Sequence, residues 1–166
     1  VYGVKMELVP KANIVRAGDA FLFSAENLYQ NKPKEIDWMI PFYVNCGLAL
    51  ELYFKAYLSD AKYVSLENNV KLVTSKSKFN IHSLVDLYEK INCTIKNDLN
   101  ERFYLYNELT SEFASLKDAL MKYDNVFIQM RYVHELNVIN LGSTKNLILL
   151  VNFIQMAIYD IGTKKL

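Results

Sequence analysis

The sequence predicts an all-α protein: an up-and-down bundle of about five helices, with a short hairpin or loop insertion near 61–79. Three observations predict it. Apolar residues recur at i, i+3 and i+4 through most of the chain, the spacing of one helix face. Only five glycines and three prolines interrupt 166 residues, so the elements should be long. Strand-like alternation is confined to residues 61–79. With 52% hydrophobic residues the chain excludes disorder, and its length fits one domain, 1–166, with a sizeable core.

Residues 1–13 carry no helical signal and read as an extended arm. The first helix is expected from about Gly18 to Gln30, with Ala20, Phe21, Ala25 and Leu28 as its stripe. Asn31-Lys32-Pro33 should end it, because proline disfavours helix in the residue before it. The second helix covers Trp38 to Leu58, is apolar on almost every side, takes Pro41 in its first turn and fades near Ser59-Asp60. Beyond it, Tyr63–Glu67 and Val70–Val73 alternate around Asn68-Asn69, where asparagine tolerates positive φ; a hairpin and an irregular loop both fit. A third helix is expected over Ile81–Ile91, capped by Asn80. Leu99–Leu136 is helical in pattern, with a break near Tyr123-Asp124-Asn125. The last helix should span Ser143–Ile161, with Ser143 or Thr144 as its cap and Gly162 closing it.

Bulk properties narrow the function classes. A net charge of +1 gives no global attraction to nucleic acid or membrane. The 38–58 segment is long enough to span a bilayer, but Asn45, Glu51 and Lys55 within it argue for the central helix of a soluble bundle. The two cysteines form neither a disulfide framework nor a metal spacing, and Cys46 reads as a small core residue. No secretory signal precedes the first helix, and a reducing, cytoplasmic setting is expected. No Gly-rich phosphate loop, zinc spacing, Ser-His-Asp order or Glu-x-x-His element is recognisable, so neither metal nor cofactor is expected.

The charges inside the apolar helix are the most informative residues. Glu51 and Lys55 are spaced i,i+4 and share a face, and such residues are rarely buried unless paired. A second cluster, Arg131-Tyr132-Val133-His134-Glu135, projects Arg131, His134 and Glu135 together on a helix. The charges balance if the two helices pack side by side, Glu51 with Arg131 and Lys55 with Glu135. One account makes Glu51, Lys55 and Glu135 a structural network that fixes helix register. The other makes Arg131 and His134 a catalytic or anion-binding pair, since Arg holds phosphate and His moves protons near neutral pH. His82, expected in the first turn of the third helix, reads as a capping or packing residue and as an accessory site candidate; Tyr132 is a second accessory candidate. Loop lysines 71, 76 and 78 read as solvated, and most of the twelve tyrosines as packing residues.

Three stretches resemble the HEPN superfamily of small helical domains. Gly47-Leu48-Ala49-Leu50-Glu51-Leu52-Tyr53-Phe54-Lys55-Ala56 is similar to that group's aliphatic-Glu-Leu-x-Leu-Lys-Ala helix. His82-Ser83-Leu84-Val85-Asp86-Leu87 resembles its His-x-Leu-x-x-Leu helix start. Phe127-Ile128-Gln129-Met130-Arg131-Tyr132-Val133-His134-Glu135 resembles its Phe-x-x-x-Arg-Tyr-x-x-Glu segment. The resemblance implies a helical bundle that pairs as a homodimer. It implies either a metal-independent ribonuclease of toxin–antitoxin, defence or RNA-processing systems, or a non-catalytic nucleotide-binding or assembly module. An antitoxin or a nucleotidyltransferase-like protein is the implied partner. In the active members Arg steadies the scissile phosphate and His assists proton transfer, with four to six residues between them. Here only two residues separate Arg131 from His134. The enzymatic reading and the dimerisation or partner-binding reading therefore both stand.

Overall fold

The computed structural model describes residues 10–34, 37–65, 71–77, 80–124, 126–132 and 141–163; within these, the side chains of 60–65, 71–77, 127, 131, 162 and 163 lie outside the description. The described chain is an all-α bundle, as the sequence predicts; of the two readings left open near 61–79 it takes the antiparallel hairpin, and its described helices number eight rather than about five.

The first helix, α1 (Ala12–Asn31), starts six residues before the expected Gly18. Val15, Gly18, Leu22 and Ala25 form its buried face, so Gly18 is an interior contact point rather than a boundary. A Cβ at Gly18 would lie 2.7 Å from Tyr53 Cε1, closer than real contacts allow, and the missing side chain is what lets α1 approach. The helix thus takes in Ala12 and Asn13, the last two residues of the expected extended arm. The arm's first nine residues lie outside the described residues, and the Lys11 N–H donates to Ala56 O at 2.9 Å. Lys32, at φ 41°, closes α1 in a left-handed cap whose N–H returns to Leu28 O, and Pro33 follows.

The second helix, α2 (Met39–Leu58), is the axis of the bundle. Twelve of its twenty residues are buried, so it has no solvent face of ordinary width. It runs antiparallel to α1: Lys11 and Gly18 meet Ala56 and Tyr53, and the Tyr29 ring stacks on Phe42 at 5.7 Å. The chain passes directly from α2 into β1 (Ser59–Ser65), which pairs with β2 (Lys71–Ser77) from Ser59↔Ser77 to Ser65↔Lys71. The hairpin exists, but its strands begin earlier and end later than the alternation indicated, and the connection holding Asn68-Asn69 lies outside the described residues.

Next comes α3 (Leu84–Lys90), shorter than the expected 81–91 and capped by Ser83 rather than Asn80. The expected long helical stretch is four helices: α4 (Cys93–Tyr104), α5 (Asn107–Thr110), α6 (Leu116–Lys122) and α7 (Val126–Arg131). Two caps explain much of the difference. Asn92 accepts from the Thr94 N–H and starts α4 earlier, and Ser115 accepts from the Asp118 N–H and starts α6 afresh. The break expected near 123–125 separates α6 from α7. The last helix, α8 (Thr144–Thr163), passes through Gly162 instead of stopping there. It runs in the same sense as α2: Tyr43 near the start of α2 donates to Gly142 O just before α8, while Tyr53 and Gln155 share one acceptor further along.

Helices α1, α3, α7 and α8 all pack on α2, and α4 and α5 lie against α8. Leu50, Phe54, Leu87, Leu99, Phe103, Leu120, Leu150 and Ile154 are among the fully buried side chains of this shared core. Among the described residues no helix is long and apolar enough to cross a membrane.

Candidate functional site

Glu51 lies on the buried side of α2, with 5% of its surface exposed. Lys55, one turn later, places Nζ 2.6 Å from Glu51 Oε1. The order suits the helix, because a glutamate four residues before a lysine lies with the helix dipole, and Lys55 belongs to the last turn. The third member comes from outside α2. His82 Nδ1 lies 3.1 Å from Oε1 and 3.3 Å from Oε2 of Glu51. Against an ionised carboxylate, which only accepts, Nδ1 carries the hydrogen. The His82 side chain is 45% exposed, whereas those of Glu51 and Lys55 are 7% and 12% exposed. A buried carboxylate therefore stands behind an imidazole that reaches the surface.

His82 is outside α3, one residue before its cap, and this corrects the expected first-turn position. The segment is fixed from two directions. Ser83 Oγ accepts from the Asp86 N–H, the local cap of α3. Ser83 Oγ also reaches Asp124 Oδ2 at 3.0 Å, and the Leu84 N–H donates to Asp124 Oδ1. Packing completes the placement: Phe54 of α2 meets Tyr88 of α3 edge to face, with ring centroids 6.2 Å apart.

The structure brings together Glu51, Lys55 and His82, which sequence reasoning had divided between a structural network and an accessory role. It also packs α7, whose last residue is Arg131, against α2. The expected Glu51–Arg131 and Lys55–Glu135 pairs fall outside the described residues, which include only the backbone of Arg131 and neither His134 nor Glu135. Tyr132 is exposed, with its N–H donating to Gln129 O at 3.2 Å. Cys46 is buried in α2, as expected, and burial pushes its thiol well up from the ordinary range. No group of three or more metal-ligating side chains occurs among the described residues.

A second polar cluster escaped the sequence reading. Asp19 of α1 accepts from Tyr53 Oη at 2.8 Å and Gln155 Nε2 at 2.7 Å through Oδ1, and from Tyr159 Oη at 2.6 Å through Oδ2. It ties α1, α2 and α8 with three neutral donors. Burial raises the Tyr53 phenol, and the hydrogen bond and charge of Asp19 raise it further. On the other flank of α8 a shallow cleft of about 210 Å³ is lined by Leu105, Tyr106, Phe153 and Met156, with Arg102 and Asp160 paired at its rim at 2.8 Å.

No known family pattern, curated protein or solved structure matches this chain.

Proposed function

We propose that this is a HEPN-like domain that binds or cleaves RNA or a nucleotide, as a toxin or defence component. One observation carries the reading: the described parts of the second and third stretches of the resemblance both meet α2, which holds the first. The helix itself holds Glu51 and Lys55, His82 meets Glu51 at 3.1 Å, and the helix ending at Arg131 packs alongside. In this reading Arg131 contacts phosphate and His134 is the acid or base. Glu51 holds His82 as an accessory donor, and Lys55 balances the buried charge. Two protomers complete one cleft, with an antitoxin or a nucleotidyltransferase-like protein as the cytoplasmic partner.

The test is cleavage and binding of labelled single-stranded RNA by purified protein in the presence of EDTA. Arg131→Ala and His134→Ala should each lower cleavage by about a hundredfold or more, the usual range for losing a proton-transfer or phosphate-binding group. Unchanged cleavage in both variants would remove these residues from the mechanism.

The second reading is a non-enzymatic dimerisation or partner-binding module. The enclosure of the Glu51–Lys55 pair favours it, because an ion pair held within one helix and covered by its neighbours serves packing without any ligand. It predicts that wild type neither cleaves nor binds RNA, while Arg131→Ala and His134→Ala lower the melting temperature.

A further inference from the structure

We infer that Asp124 is a positioning residue that holds His82 against Glu51. The inference deepens the reading above, from which it takes the importance of His82. The geometry comes from the turn between α6 and α7. Asp124 sits there, two residues before α7 begins, yet its carboxylate is spent on a segment some forty positions earlier in sequence. Oδ2 takes the Ser83 hydroxyl at 3.0 Å, and Oδ1 takes the Leu84 N–H, with the Val85 N–H at 3.5 Å.

These contacts divide the work at the start of α3. Ser83 already caps the helix locally by accepting from the Asp86 N–H. A helix of seven residues gains little from a second acceptor at the same end unless the acceptor fixes where the helix start lies. Asp124 does so, because it clamps the two residues immediately after His82. The imidazole Nδ1 lies 3.1 Å and 3.3 Å from the two Glu51 carboxylate oxygens, and a shift of about 1 Å in the 82–84 backbone away from α2 takes Nδ1 beyond hydrogen-bond range. The same turn leads into α7, which packs on α2 and ends at Arg131. One carboxylate thereby sets the spacing between the two segments that the functional reading needs side by side, one carrying His82 and the other Arg131.

The side chain's charge is secondary in this role. What the segment requires is a short acceptor at Oδ1 and a polar partner for Ser83, which asparagine supplies almost isosterically. Alanine supplies neither.

The experiment reads the His82 ring directly. The chain has two histidines, so long-range proton–nitrogen spectra of the imidazoles contain two ring systems, and His82 is the one lost in His82→Gln. Asp124→Ala should displace the His82 Nδ1 signal toward that of Glu51→Gln, whereas Asp124→Asn should keep the wild-type position. A substitution that merely lowers stability leaves the native-state ring signal unmoved, so the measurement separates positioning from general support. An unchanged His82 signal in folded Asp124→Ala overturns the inference, whatever the RNA assays give. If Asp124→Ala does not fold, Ser83→Ala carries the test by deleting the hydroxyl bound to Oδ2: displacement supports the inference and an unmoved signal overturns it. A displaced signal in a protein whose wild type is inert toward RNA supports the positioning role and overturns the functional reading instead.

Discussion

Glu51 and Asp19 are both helix-borne carboxylates that bind neighbouring elements together, and they are compensated in opposite ways. Glu51 is buried and meets Lys55 and His82, a fixed cation and a titratable ring. Asp19 is half-buried and meets two phenols and an amide, all neutral. The difference follows solvent access. A carboxylate deep in an apolar helix needs opposite charge, since desolvation without a counter-ion is costly. One at the edge of a helix pair keeps its charge near water and uses its lone pairs to join α1, α2 and α8. The Glu51 region thus has the chemistry of a site, and the Asp19 region that of a joint.

The comparison can be broken first at Glu51. Glu51→Leu should cost about 3 kcal/mol, because it leaves Lys55 on the least polar helix without its carboxylate. Urea unfolding reads this directly, and a loss below about 1 kcal/mol would mean that the lysine stem reaches water unaided. Asp19→Ala should cost about 2 kcal/mol, chiefly from stranding the buried Tyr53 hydroxyl. A variant as stable as wild type would show that the three donors find other acceptors.

The smallest effect separates the two regions by pH. Tyr53→Phe should cost about 1 kcal/mol near neutrality. Tyr53 is raised above its ordinary value of 10 by burial and by Asp19, and Tyr159 is raised first by its hydrogen bond to Asp19. The folded protein therefore holds phenol protons that the unfolded chain releases. This stability is fully present below pH 10 and is lost as pH climbs from 10 upward. The melting temperature of wild type should fall over that range, and the fall should be shallower in Tyr53→Phe. Parallel curves would mean that the joint does not govern alkaline unfolding.

Several features were legible in the sequence because they rest on local periodicity. The burial of α2, its extent to Leu58 and the break before α7 follow from apolar spacing and breaker residues, whereas the alternation after α2 fitted a hairpin and an irregular loop equally. The early start of α1 was obscured by Gly18, which reads as a boundary in one dimension and is a contact with the Tyr53 ring in three. The shorter α3 carried a readable sign, since Ser83-x-x-Asp86 and Ser115-x-x-Asp118 show the same serine-capped spacing at two helix starts.

By itself the sequence determined that this is an all-α bundle built around one apolar helix, and that the charges of that helix need partners. Hydrophobic period and charge burial are properties of neighbouring residues, so they survive in a string of letters. Only the tertiary structure decided the partners. Glu51 meets His82 thirty-one positions away, Asp124 fixes the segment beyond it, and Asp19 gathers donors from α2 and α8. Such contacts depend on how helices dock in space, and no spacing rule along the chain encodes them.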